Sequence, residues 1–365
     1  MEAQEILQDI VFILLYGGVM GLNVVAALYL LRRRGNAIAP EVKSPVRLRL
    51  WAAAFLMACA LSHVFWVIYT THPSQPLYVI VCGLDLLMLF PTIAGLLLSM
   101  LQDRRRPVWP MLVALIPAFV ILALCIIRGD ENLFLPLSLY VIALYASMML
   151  YMYFAVRHYG RWLRDNYADL EHKEVWQSFV ILAGFLLFFV MYSSTTESST
   201  LLVYLLQIDC IIIVALLLWR VETLQTLSES TTAEVEGPVA DAQRTSVQQA
   251  ISVDIAPLLK KHCENKHLYL QHDLSLSQLA QAIGTNHYYL SQYFSQQGLT
   301  YNTYINGLRI RHFFRQYQKA VADGRTITAQ QLSSESGYRS YSTFSAAFKQ
   351  YTGKTVAAWM RDTGE

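Results

Sequence analysis

Residues 274–294, LSLSQLAQAIGTNHYYLSQYF, are followed by a second stretch of the same design, residues 327–349, ITAQQLSSESGYRSYSTFSAAFK. In each, a short apolar helix is expected to lead through a glycine, Gly284 or Gly337, into a helix with one polar face. Aligned on the two glycines, Leu279-Ala280 lie over Leu332-Ser333, Leu290 over Thr343, and Phe294 near Phe348. Two helices that meet at about 90–120° through a tight turn need a residue tolerant of positive φ at the corner. The pattern predicts two helix-turn-helix units in one chain.

In such a unit the second helix enters the major groove of DNA by its N-terminal end. The candidate contacts are Thr285, Asn286, His287, Tyr288 and Gln292 in the first unit, and Arg339, Ser340, Tyr341, Ser342 and Thr343 in the second. Arginine suits guanine O6/N7, and the carboxamides of Asn286 and Gln292 suit adenine. Lys349 completes the candidate interface and, with Arg309, Arg311 and Arg315, is expected to meet phosphate or solvent, which sets register rather than sequence. Tyr289, Leu290, Tyr293 and Phe294 share the inward arc with Leu279 and Ile283, although Tyr289 fits either side. Between the units, Tyr301, Tyr304, Ile305, Leu308, Ile310 and Phe313 mark a helix from Thr300 to Lys319. Its length, roughly 30 Å at 1.5 Å per residue, is close to one turn of DNA, about 34 Å.

The run from Gly337 to Gly353, GYRSYSTFSAAFKQYTG, resembles the signature of the AraC/XylS family of bacterial transcription regulators, and the resemblance covers residues 250–361. The glycine-aromatic pair, Ser-x-Phe, Phe-Lys and the trailing glycine fall at the family's spacing. Two positions depart from it: Val356 stands where the family usually has proline, and Tyr338 where it has phenylalanine. The resemblance implies a double helix-turn-helix joined by a long helix, double-stranded DNA as partner, RNA polymerase as a second one, and activation rather than repression.

The remainder of the chain has a different character. Hydrophobic residues make up 55% and charged ones only 15%, against about a quarter charged in soluble domains. The mean hydropathy is +0.35. The apolar runs lie in residues 1–220, whereas residues 251–365 carry 12 Lys+Arg against 7 Asp+Glu, a net +5 suited to phosphate. Seven runs approach the roughly 20 apolar residues needed to cross a bilayer. They are placed at 8–31, 48–70, 77–101, 108–127, 134–156, 176–193 and 200–219. The first is a retained span, because the acidic start (Glu2, Glu5, Asp9) lacks the features of a cleaved signal peptide. Loops after spans one, three and five hold 13 lysines and arginines; the intervening loops hold one, Arg128. The positive-inside rule then places the N-terminus outside and the C-terminus in the cytoplasm of an inner membrane.

Polar residues inside spans are costly. Asn23, His63, Asp85 and Asp209, with Glu197 at a rim and Tyr16, Tyr69, Tyr140, Tyr145 and Tyr204, line either a ligand-sensing or proton-sensitive site or a set of interhelical hydrogen bonds. Trp51, Trp109, Trp176 and Trp219 fall near span ends, where amphipathic rings anchor. Pro91, Pro110, Pro117 and Pro136 are candidate kinks.

Residues 221–245 read as a linker: Val221, Leu224 and Leu227 continue a helical spacing for two turns, and an acidic, turn-rich stretch follows. A helix is expected from Ser246 to Lys261, packed under the first helix-turn-helix unit. The five cysteines form no CxxC pair, and His262, Cys263, His267 and His272 match no zinc spacing. No catalytic triad, metal motif, phosphate loop or cofactor site is expected. The sequence therefore predicts an all-α protein: a seven-helix transmembrane bundle at 1–220, a linker, and a double helix-turn-helix domain at 246–365. Its expected function is sequence-specific transcription regulation, with the bundle as sensor of a small-molecule or lipid signal or as anchor, and with homodimerisation as a hypothesis. The rival reading is a membrane transporter or enzyme whose tail regulates its own gene.

Overall fold

The computed structural model describes residues 10–33, 35–40, 42–128, 133–176, 179–180, 200–227, 255–325 and 327–364. Among these the chain is all-helical, with a single isolated bridge between Tyr167 and Ser275 and no strand. It forms two compact units: residues 1–159 with 175–227, and residues 160–174 with 228–365.

The first unit contains α1 (Ile10–Arg32), α2 (Val46–Thr71), α3 (Gln75–Met100), α4 (Trp109–Ala114), α5 (Ile116–Arg128), most of α6 (Phe134–Asn166) and α7 (Thr200–Thr223). With α4 and α5 taken together as Trp109–Arg128, six segments among the described residues are long and apolar enough to cross a membrane. The expected span at 176–193 and the rim residue Glu197 fall almost wholly outside the described residues. The span expected at 108–127 is interrupted at Leu115, two residues before Pro117, which has no N–H to return to Val113. Pro91 sits inside α3, and one turn of carbonyls beneath it, Met88 and Leu89, accept from the Thr92 hydroxyl at 2.6 and 3.1 Å.

α3 is the most enclosed of these helices, half of its apolar window being buried. Gly95 permits this, because a Cβ there would lie 2.3 Å from the indole carbons of Trp51. Trp51 thus packs on a helix rather than serving only as an interfacial anchor. Trp109, Trp176 and Trp219 are exposed, as anchors are. The end of α7 is also held. Glu222 accepts from the Tyr29 hydroxyl and from the backbone of Ala37 and Ile38 at 3.0 and 2.8 Å. Arg49 donates to Asn36 at 2.9 Å, and Asn36 donates to the carbonyls of Val42 and Glu222. Val221, Leu224 and Leu227 are buried in this edge, the helix ending at Thr223. Their apolar spacing therefore serves the unit's own packing and not a free helical stub. The linker beyond Leu227, up to residue 254, lies outside the described residues.

The second unit comprises α8 (Ile255–Leu259), α9 (Leu276–Ile283), α10 (His287–Gln296), α11 (Tyr301–Ala322), α12 (Ala329–Glu335), α13 (Tyr341–Thr352) and α14 (Val356–Gly364). The helix expected to reach Lys261 passes into a π-helical turn at Lys260–Glu264, and its start at 246–254 is outside the described residues. Two cores form. One gathers Leu276, Leu279, Ile283, Leu290 and Phe294 around Tyr301, Ile305 and Leu308; the other gathers Leu332, Tyr338, Phe344, Phe348 and Val356 around Ile310, Phe313 and Tyr317. α11 supplies both, its first half to one core and its second half to the other. It is two residues longer than expected, roughly 33 Å by the helical rise.

Residues 160–174, between the fifth and sixth spans expected from sequence, belong to this second unit. Ala168 is buried in the first core, and its N–H donates to the Leu274 carbonyl at 3.4 Å. The Asn302 carboxamide donates to the Ala168 carbonyl at 2.7 Å. A segment read as a loop between spans is here part of the helix-turn-helix unit.

Candidate nucleic-acid interface

Each unit begins the same way. Ser275 caps α9 and Thr328 caps α12, each paired with a glutamine at the third helical position, Gln278 or Gln331, in a reciprocal capping box. The corner glycines have the expected backbone, φ +79° at Gly284 and +88° at Gly337. They differ in surroundings: a Cβ on Gly284 would meet open space, whereas one on Gly337 would lie 2.7 Å from the Leu270 carbonyl oxygen.

The second helices are capped by Asn286, which accepts from the Tyr289 N–H at 2.9 Å, and by Ser340, which accepts from the Thr343 N–H at 3.3 Å. Two steps separate Gly284 from its cap and three separate Gly337 from its own, so the second turn holds one extra residue. The alignment by glycine therefore slips after the corner. Leu290 corresponds to Phe344, not Thr343, and Phe294 to Phe348; all four are buried. Thr343 takes the place of Tyr289, and both are half-buried.

The candidate contacts sort accordingly. Asn286, Tyr288, Gln292, Arg339, Tyr341, Ser342 and Lys349 are exposed, and Thr285, His287, Ser340 and Thr343 are half-buried. Asn286 and Ser340 already use their side-chain oxygens on their own helices. For Asn286 this leaves the amide N–H₂ and the second lone pair of Oδ1 for a base, with the side chain oriented by the cap. Arg311 and Arg315 are exposed, but Arg309 is fully buried. Its guanidinium donates to the carbonyls of Tyr269 and Gln271 at 2.7 and 2.8 Å and lies over the Tyr338 ring, 5.3 Å from its centroid. Burial draws its pKa down from the usual arginine value, against the pull of Tyr338 and Asp169. The expectation that Arg309 meets phosphate or solvent is thus corrected: it ties the second core to the segment beneath the first.

Three of the candidate side chains have side-chain partners distant in the chain. His287 Nε2 donates to Asn166 Oδ1 at 2.6 Å, and the Thr343 hydroxyl donates to Glu171 at 3.1 Å. Arg339 pairs with Asp273 at 3.2 Å, and Lys173 holds the same carboxylate at 2.9 Å. Burial pushes Asp273 up, but Lys173 and then Arg339 outweigh it and hold the carboxyl below its ordinary value.

The histidines and Cys263 separate. Cys263 is buried in the first core, where burial and Glu264 push its thiol up to about 12, so it is not a poised thiolate. His267 and His312 share the Tyr269 hydroxyl at 2.9 and 3.2 Å, and Arg315 donates to it at 3.2 Å. Among the described residues no group of three or more His, Cys, Asp or Glu is arranged to hold a metal.

Residues 279–362 match the family model described as a helix-turn-helix domain, of the AraC type. The match runs from within α9 to α14 and covers both corners. The chain matches no curated protein and no solved structure. The helix-turn-helix match supports a DNA-binding transcription regulator, and the apolar helices allow it to be held in a membrane.

In the first unit the candidate membrane residues divide as well. Asn23 donates to the Val19 carbonyl of its own helix at 2.9 Å, an intrahelical bond rather than one between helices. His63 is joined by Gln207, not singled out in the sequence, whose Oε1 lies 3.2 Å from Nε2, and by Tyr16, whose hydroxyl donates to the His63 carbonyl at 2.7 Å. Asp85 accepts from the Trp66 indole at 2.7 Å. Asp209 is buried, and its Oδ2 has no hydrogen-bond partner among the described residues. Gln207 and Trp66 were missed, although Gln207 carries the same signal that marked Asn23, an amide within an apolar run.

Proposed function

We propose that the chain is a membrane-held, sequence-specific transcription regulator that reads double-stranded DNA with α10 and α13. The observation that carries this reading is the duplicated corner: two capped second helices, one on each half of α11, each with a row of polar residues at its exposed end. A shared α11 of roughly 33 Å suits two second helices set about one DNA turn, 34 Å, apart. Within that reading Arg339 and Gln292 are the base readers, Lys349, Arg311 and Arg315 neutralise phosphate, and Asn286 and Ser340 hold the helix ends in shape. Thr285, His287, Tyr288, Tyr341, Ser342 and Thr343 complete the contact surface.

The apolar helices anchor the protein in the inner membrane, with the helix-turn-helix unit in the cytoplasm. The cluster of Tyr16, His63 and Gln207, with Asp85 and Asp209, is where a small-molecule or lipid signal would bias the bundle, since a ligand shifts an equilibrium only through differential contacts. RNA polymerase and a second copy of the chain are the further partners this function would use. Crosslinking of the tagged full-length protein in cells, followed by sequencing of attached DNA, tests the reading. A few sharp peaks sharing a bipartite motif are expected; no enrichment from the full-length protein, nor from a variant carrying Asn166→Ala and Glu171→Ala, refutes it.

A further inference from the structure

The DNA-reading edge of the second unit is occupied by a piece of the same chain. Residues 160–174 reach both second helices: Asn166 takes His287 at the start of α10, and Glu171 takes Thr343 in the first turn of α13. Between these points Lys173 fixes Asp273, which in turn holds Arg339 just before α13. The segment is embedded rather than merely adjacent. Asn166, Tyr167, Ala168, Asp169 and Lys173 are all buried, the Lys173 ammonium lies 5.6 Å from the Tyr167 ring centroid, and two backbone or carboxamide hydrogen bonds run to Leu274 and Asn302.

The chemistry of these contacts resembles what DNA would offer. A carboxylate on Thr343 and another on Arg339 stand where phosphate or base acceptors would, and a carboxamide oxygen takes the His287 proton. Helix N-termini and hydroxyls are common phosphate donors. The same groups cannot serve both partners at once.

We propose that residues 160–174 are a built-in competitor of DNA, a strap whose Asn166 and Glu171 keep the reading ends of α10 and α13 engaged, and whose Lys173 fastens it to Asp273, until it is displaced. The proposal rests on the DNA-reading function above and adds to it a regulatory ligand within the chain. The strap is also the only part of residues 1–227 that belongs to the second unit. It begins as the last two turns of α6, so any signal that moves that helix acts on the strap through the covalent chain. An apparent dissociation constant is the intrinsic one divided by the open fraction, so a strap closed in nine molecules of ten weakens binding about tenfold.

The test uses the full chain in lipid nanodiscs. A variant carrying Asn166→Ala and Glu171→Ala is used to enrich a 40-bp duplex from a random pool, and that duplex is then titrated against both proteins. The open variant is expected to bind about tenfold tighter than the parent, following the occupancy argument. A second variant, Glu171→Cys with Thr343→Cys, is joined by a short disulfide-containing bismaleimide. Joined protein is expected to lose at least that factor relative to the same variant unjoined, and reduction to restore it. Parent and open variant binding within twofold of each other, or joined protein binding as tightly as reduced protein, overturns the strap. If neither the open variant nor the reduced protein enriches or binds any duplex, the DNA-reading function itself fails and the strap with it.

Discussion

Replacing each corner glycine by alanine separates two physical costs that the sequence makes look identical. Gly284 and Gly337 both hold φ near +80°, and an L side chain in that region costs about 1–2 kcal/mol. At Gly284 nothing lies within 4 Å of the added Cβ, so the backbone term stands alone. At Gly337 the Cβ meets the Leu270 carbonyl oxygen, Cα and carbonyl carbon at 2.7, 2.8 and 3.0 Å, all backbone atoms that cannot rotate away. The approach is fixed from the other side, where His272 Nδ1 lies 3.1 Å from the Gly337 carbonyl. Relieving such a contact adds roughly 1–3 kcal/mol of overpacking. Gly337→Ala is therefore expected to cost about 2–5 kcal/mol and Gly284→Ala about 1–2. Asparagine tolerates the left-handed region, so Gly284→Asn should recover most of the loss while Gly337→Asn should not. Pulse proteolysis of the full-length protein in micelles across a urea series, read on fragments from residues 255–364, gives both values. A loss at Gly337 equal to or smaller than that at Gly284 would refute the reasoning, since φ would then be the whole effect.

Four further outcomes follow from the geometry. The Tyr338 hydroxyl is buried with no hydrogen-bond partner among the described residues, so Tyr338→Phe should be neutral or stabilise by up to about 1 kcal/mol in the same assay. Arg309→Leu removes two charge-assisted hydrogen bonds and should destabilise the second unit by roughly 3 kcal/mol; a loss below 1 kcal/mol would argue that the buried guanidinium is not structural. Lys349→Ala should leave stability unchanged but lower the salt slope of DNA binding by about one, measured by titration of an enriched duplex at several salt concentrations. Gly95→Ala, whose methyl would enter the Trp51 indole, should destabilise the apolar unit by roughly 1–3 kcal/mol, seen as a lower unfolding temperature in micelles; Trp51→Ala in the same chain should remove that penalty.

Local patterns made much of the second unit legible, and the failures share a cause. Periodicity placed α9, α10, α11 and α13 because each needs a continuous apolar stripe, and the glycines marked the corners because few residues adopt their φ. The slip of one residue after Gly337 was hidden because Thr343 and Leu290 fit a six-residue offset in sequence; only the caps at Asn286 and Ser340 set the true register. Those two caps were themselves read as base contacts, since the polar side chains that cap helices also hydrogen-bond to bases. Arg309 carried a signal that composition alone overrides: it stands four residues from both Ile305 and Phe313, on the stripe that faces the cores, where a charge must be paired or bonded. Lys349, three residues after the exposed Ala346, has no such stripe and stays in solvent.

The strap was the least legible part, for a different reason. Its partners His287, Thr343 and Asp273 lie 100 or more residues away in the chain, and no period or spacing encodes a pairing at that range. Residues 157–173 carry four basic residues, and those charges drew the reading toward membrane orientation. Both uses of Lys173 are compatible, because a lysine on the cytoplasmic side of a span is free to hold an aspartate there. What distinguishes them is burial: Lys173 is 2% exposed and, together with Arg339, holds the Asp273 carboxyl below its ordinary value. Lys173→Ala should therefore do more than weaken a topology signal. It should detach the strap from Asp273 and leave Arg339 in the one exposed ion pair it already makes, of a kind worth under about 1 kcal/mol. On the strap reading, DNA binding by Lys173→Ala strengthens; if binding instead falls while folding is intact, Lys173 itself touches DNA and the strap does not compete for that edge.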